Sequence, residues 1–211
     1  RQTSTVTVKY PATIGAPISV SADQPDTLPQ FTATNDAINA TNATKFTGVV
    51  PITLNGADAI ASVPDGCVTM DTSNSTTGNV NFRSIKVDKV EKSKTGLNVT
   101  VSVTTGSIGG VWDENSPYPF KEGILPNISI DTRKFQLKEN TLGWYLPTDV
   151  LKLDDMTVDV LTPAFTKVEH ADDPTTGKQT FTIHTQNMPE NAKVEVALEK
   201  TDVGASNVEN D

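Results

Sequence analysis

Leu97-Asn98-Val99-Thr100-Val101-Ser102-Val103-Thr104 alternates apolar and polar side chains without a break. Successive side chains of a strand point to opposite faces, so a period of two describes a half-buried β-strand. Lys94-Thr95-Gly96 ahead of it reads as a turn, and Asn79–Val90 before that carries Val80, Phe82, Ile85, Val87 and Val90. Parity in this second run breaks between Phe82 and Ile85, which predicts a bulge near Arg83-Ser84. The two runs are expected to form an antiparallel pair at the centre of one sheet.

The same reading extends outward. Phe46–Leu54 is a strand whose Pro51 lacks an N–H and so predicts an edge or a bulge. Asn55-Gly56 is a strong hairpin signal, with Ala59–Val63 as the returning strand. Further short strands are expected at Ile18–Ser21, Asn127–Ile130, Lys134–Lys138, Leu142–Leu146, Met156–Val160, Phe165–Glu169, Thr180–Thr185 and Lys193–Glu199. Turns at Asp172–Gly177 and Gln186–Asn191 separate the last of these. Pro11–Ala43 and Gly106–Gly123 read as loops, and Pro147–Asp155 as the best candidate for a two-turn helix. Strands every eight to twelve residues with turn signals between them are the pattern of a sandwich or barrel. The expected fold is therefore all-β: an antiparallel β-sandwich, immunoglobulin-like or jelly-roll-like, with an extended N-terminal strand and at most two short helices. Residues 1–10 form that strand and 11–211 a single domain; a split near residues 105–125 is the alternative.

Composition agrees. About one residue in seven of the 211 is Thr, which is β-branched and favours strands. Charged residues are 20% of the chain and aromatics 6%, too few for a charge-dominated disordered chain or a coiled coil. The formal net charge is −9, and the lysines of Lys86–Lys94 are interrupted by Asp88 and Glu91. A nucleic-acid partner needs an uninterrupted basic surface, so none is expected. No apolar run is long enough to span a membrane. Cys67 is alone, so no intramolecular disulfide can form, and its place after Pro64-Asp65-Gly66 reads as a small buried hydrophobe at a strand start.

Motifs that carry chemistry are sparse. The sequence holds no GxSxG, HExxH, CxxC, phosphate-binding glycine loop or EF-hand loop. Its adjacent acids, Asp113/Glu114, Asp154/Asp155 and Asp172/Asp173, sit in turn-like surroundings rather than as a pair set across a cleft. No catalytic residue is assigned and no enzyme is expected. Calcium is the one cofactor these turns suit, because it takes hard oxygens from carboxylates, amides and carbonyls. Asp113, Glu114 and Asn115 would supply one loop, Asp172 and Asp173 another; the alternative is ordinary solvated turns. Asn39, Asn42, Asn74, Asn98 and Asn127 each begin an Asn-x-Ser/Thr sequon for glycosylation. Trp112, Tyr118, Trp144 and Tyr145 are candidates for stacking on sugar rings, Trp112 and Tyr118 from the long loop; core packing is the favoured alternative, with Trp144 in a strand expected to feed the core.

Ser4-Thr5-Val6-Thr7-Val8-Lys9-Tyr10 alternates strictly, with Val6, Val8 and Tyr10 on one face. An isolated terminal strand beside a sandwich can complete the open edge of a neighbour. In general plan this resembles the donor-strand-complemented filament subunits of prokaryotic cell surfaces, such as pilins and biofilm-fibre proteins. The resemblance covers residues 1–10 and the Thr-rich all-β character; the chain is longer than typical pilins and lacks their disulfide. Gly143-Trp144-Tyr145-Leu146 is similar to part of the Trp-x-Leu modules of Gram-positive surface proteins, without their second motif. The expected function is a structural subunit of an extracellular filament, pilus-like or other surface assembly, polymerising head-to-tail with itself by β-strand exchange. Val6, Val8 and Tyr10 would fill the acceptor's pockets, and a signal peptide would have been removed ahead of Arg1. The competing readings are an adhesin or carbohydrate-binding module facing host or cell-surface glycans, and a virion capsid or tail subunit.

Overall fold

The computed structural model describes residues 5–6, 15–34, 43–70, 82–107, 122–139, 141, 143–190 and 192. The chain is all-β and sandwich-like, with no helix longer than a single 3₁₀ turn among the described residues. In chain order the first strands are β1 (Ala16–Pro17), β2 (Ser19–Val20), β3 (Gln30–Ala33), β4 (Ala43–Asn55), β5 (Ile60–Ser62), β6 (Val68–Thr69), β7 (Phe82–Lys92) and β8 (Gly96–Ser107). They are followed by β9 (Glu122–Leu125), β10 (Ser129–Ile130), β11 (Gln136–Leu137), β12 (Trp144–Tyr145), β13 (Leu151–Lys152), β14 (Met156–Leu161), β15 (Ala164–Asp172) and β16 (Gln179–Gln186).

The main sheet runs β7-β8-β4-β3-β14-β9, with β2 also on β4. It curls until its two end strands meet: the Phe82 ring of β7 lies against Gly123 of β9, where a Cβ would come within 2.2 Å of the ring. One face of residues 97–104 lines the inside of this curl. Leu97, Val99, Val101 and Val103 are fully buried, as are Phe46, Val50 and Ile52 of β4, while Val49 on the opposite face of β4 is exposed. Phe31, Leu125 and Val158 close the core from the other half of the sheet. At about 1.5–3 kcal/mol per buried large side chain, this interior outweighs any other contribution to folding.

β7 and β8 pair antiparallel through the turn at Lys94–Gly96, and the register shifts between Phe82 and Ser84, so the bulge falls where the parity break placed it. The pair stands at one end of the sheet path rather than its centre. Pro51 is neither at a bulge nor on an outer strand. It faces Asn98 of β8, and on its other flank lies the gap between β3, which pairs with Phe46 and Thr47, and β2, which pairs with Leu54 and Asn55. Gln24 fills part of that gap with its side-chain amide: Nε2 donates to the Thr53 carbonyl at 3.3 Å, and Oε1 accepts from the Thr53 N–H at 3.2 Å. The amide thus stands in for a strand where proline has kept one away.

Three further expectations are corrected. Asn55-Gly56 does turn the chain, with Gly56 at φ +84°, but into a 3₁₀ turn over Ala57–Ala59; β5 then pairs with β11 instead of returning along β4. The flank it would have used is taken by Ser19 and Val20. Pro147–Asp155 is not helical, because Leu151 and Lys152 pair with Ile130 and Ser129. The sheet is also not purely antiparallel: β3 runs parallel to β14, and β1 parallel to β12. The alternative split near residues 105–125 falls largely outside the described residues.

Candidate functional site

After β14 the chain passes Thr162 and Pro163 and leaves the body as a two-stranded arm. β15 and β16 pair only with each other among the described strands, and every residue from 165 to 182 is exposed. The expected turn is present. Asp173 Oδ1 accepts from the N–H groups of Thr175 and Thr176 at 2.9 and 3.3 Å, and Gly177 takes φ +67°. The Thr176 side-chain hydrogen bond first, then these two N–H groups, hold the Asp173 carboxyl below the usual carboxylate range.

Register gives the arm two unlike faces. Val168 stands opposite Ile183 and His170 opposite Phe181, the last two rings stacked at 4.6 Å and 10°. A bulge between Phe165 and Lys167 shifts the parity, so Phe165, opposite Thr185, joins this apolar face. Val168 is 61% exposed and Phe181 39%, values ordinary for a polar surface residue rather than for these side chains. The other face carries Lys167, Glu169 and His184. Lys167 pairs with Glu169, and His184 Nε2 lies 2.9 Å from the second oxygen of that carboxylate. The Lys167 hydrogen bond, then that of His184, keeps the Glu169 carboxyl below its ordinary range.

The remaining candidates are dispersed. Of the N-terminal strand, Thr5 and Val6 are described, without strand pairing and with Val6 82% exposed; Val8 and Tyr10 lie outside the described residues. Asp172 lies 2.8 Å from His170 and Asp173 caps the turn, so both carboxylates already have partners. Asp113, Glu114 and Asn115 lie outside the described residues, as do Trp112, Tyr118, Asn39, Asn42 and Asn74. Asn127 is exposed at φ +51°, its N–H donating to Asp155 at 3.2 Å, and Asn98 is half-buried on β8. Cys67 is buried as expected, and burial pushes its thiol up to about 11.

Two hollows are lined by described residues. The gap beside Pro51 opens into a cleft of about 460 Å³ between residues 20–29 and 152–157, with Leu28, Leu153 and Met156 among its walls. A shallower groove of about 390 Å³ runs over Asn55, Gly56, Asp58, Lys94, Thr95 and Trp144. Trp144 packs against the core, as expected, but the indole also forms one wall of this groove, with its ring over Gly56. Trp144 is among the stacking candidates read from the sequence, but its groove partners are not, because β12 reaches Gly56 through its pairing with β1. No family model, curated protein or solved structure matches the chain.

Proposed function

We propose that the chain is a structural subunit of an extracellular assembly, built by main-chain contact between β-strands of successive copies. One observation carries this reading: the β15–β16 arm, exposed from residue 165 to residue 182, presents an apolar face to solvent and pairs with no other described strand. An isolated two-stranded hairpin is marginal in water, so such an arm is stabilised when a further strand or surface joins it. The alternating residues Val6, Val8 and Tyr10 supply a strand of matching character at the other end of the chain. The low charge, high Thr content and single cysteine suit a secreted prokaryotic or viral surface protein.

The test is negative-stain electron microscopy with light scattering on the full chain and on a variant lacking residues 1–10. Filaments from the full chain that are lost on deletion are the expected result. Monodisperse particles of one mass from both would overturn the reading. The Trp144 groove favours a second reading, a carbohydrate-binding module, because an indole wall beside Asn, Asp, Lys and Thr side chains suits a sugar ring. Saturable quenching of Trp fluorescence by a glycan, abolished by Trp144→Ala, would support it.

A further inference from the structure

The cleft beside Pro51 is a slot in the main sheet. β3 lies between β4 and β14 but reaches only Phe46 and Thr47 on one and Asp159–Leu161 on the other. β2 lies in the same line along β4 and covers Leu54 and Asn55. Between the two, residues 21–29 leave the sheet, with Pro25 and Pro29 unable to donate to a ladder. The hollow left behind is about 460 Å³. Main-chain groups line it from both sides. Ser21 N–H donates to the Thr53 carbonyl on this flank of β4, so the Pro51 carbonyl, two residues away, faces the same way. Asp159 N–H donates to the Pro29 carbonyl on this flank of β14, so the N–H and carbonyl of Thr157 also open into the slot. Main-chain donors and acceptors set on either side of a strand-shaped gap suit an extended peptide. We infer that this slot receives residues 4–10 of a second copy, seated between β4 and β14.

Charge selects this occupant. Residues 20–29 and 151–157, which form the lips, carry Asp23, Asp26, Asp154 and Asp155 against Lys152. That is a net of −3 over 17 residues, about four times the density of the chain's −9 over 211. Residues 1–22 have the opposite sign, with Arg1 and Lys9 and no acid. Asp23, Asp26, Lys152 and Asp154 form no ion pair among the described residues, so the field of the lips is not spent within the chain. Shape agrees with charge. Leu28, Leu153 and Met156 give apolar walls for alternate side chains, the spacing that Val6, Val8 and Tyr10 offer. Both lips are tied down: Gln24 Nε2 donates to the Ser21 carbonyl at 2.7 Å, and Leu153 N–H to the Ile128 carbonyl at 2.9 Å. A slot held open in this way costs little to fill. The donor comes from a neighbour, because in its own copy Val6 is 82% exposed and lines no part of the slot. This contact rests on the reading of the chain as a strand-exchanging subunit, and it gives the exchanged strand a seat apart from the arm.

The test is made on the full chain with a synthetic peptide of residues 1–11. Diluted below assembly, the chain should bind the peptide one to one, and more weakly as salt rises. Asp154→Lys and Ala22→Trp, both at exposed lip positions, should each weaken that binding about tenfold, the first by reversing a charge and the second by closing the mouth. A peptide carrying a benzophenone in place of the Tyr10 ring should label residues 20–29 or 152–157 on irradiation. Label on residues 164–186 instead would seat the strand on the arm and overturn the inference, as would no binding, or binding indifferent to both lip variants. Filaments lost on deletion of residues 1–10 but unaffected by Asp154→Lys and Ala22→Trp would uphold strand exchange and refute this seat. Peptide held in the slot of a chain that makes no filaments would do the reverse.

Discussion

Gly48 sits on β4 beneath the ring of Phe31, and the whole β3–β4 contact depends on its lacking a side chain. A Cβ there would lie 2.6 and 2.8 Å from Phe31 Cδ2 and Cε2 and 2.7 Å from the Gln30 carbonyl oxygen. Ordinary contact needs nearly 1 Å more in each case. The ring has no free space to retreat into: Phe31 is fully buried, with Phe82 at 6.4 Å between centroids. The Gln30 carbonyl is fixed by a strand held between β4 and β14. Overpacking of this kind costs about 1–3 kcal/mol, against which Gly→Ala in a strand recovers roughly 0.5–1 kcal/mol. Gly48→Ala is expected to destabilise by about 1–2 kcal/mol, lowering the urea midpoint by roughly 0.5–1 M at a typical slope. An unchanged or raised midpoint would refute the reasoning. Phe31→Leu supplies a second check: combined with Gly48→Ala it should cost less than the sum of the single changes, because part of the clash goes with the ring. Strict additivity would show that the two positions do not press on each other.

Cys67, buried with its thiol raised to about 11, should resist alkylation at pH 8 in the folded chain and react at once in urea; native labelling at the rate of a free thiol would contradict this. Thr132 Oγ1 is buried with no hydrogen-bond partner among the described residues, so Thr132→Val should be neutral or stabilise by about 1 kcal/mol in thermal unfolding. The side-chain hydrogen bond from Arg133 holds the Asp131 carboxyl below its ordinary value. Its contribution is thus present above the unfolded-state carboxylate range and fades as pH falls through the lower folded value. Asp131→Asn should flatten the acid limb of stability against pH, and an unaltered limb would remove the pair from the account.

Legibility followed the range of the interactions. The β7–β8 hairpin, its turn and its bulge could be read because the two strands are consecutive, joined by a short turn, and the parity break is written in Phe82 and Ile85. β3 could not, since Gln30-Phe31-Thr32-Ala33 is short, follows a proline and finds its parallel partner in β14 over a hundred residues away. Only the Phe31/Ala33 spacing hinted at it. Leu151 and Lys152 show the converse, a local helical pattern overruled by pairing with β10. For the arm, both strands and the turn were legible, but Val168 and Ile183 read like the inner face of any half-buried strand. Whether a second layer covers such a face is decided by the rest of the fold, not by the strand's own residues.

β14 passes into the arm with only Thr162 and Pro163 between them, so tension applied to the arm enters the body along the axis of β14. That strand is flanked by β3 on one side and β9 on the other. A pull along it loads both ladders in shear, every hydrogen bond at once, rather than peeling one bond after another from an end. A chain drawn taut through its arm would yield by sliding a central strand out of the sheet, the mode in which a β-sheet resists force best.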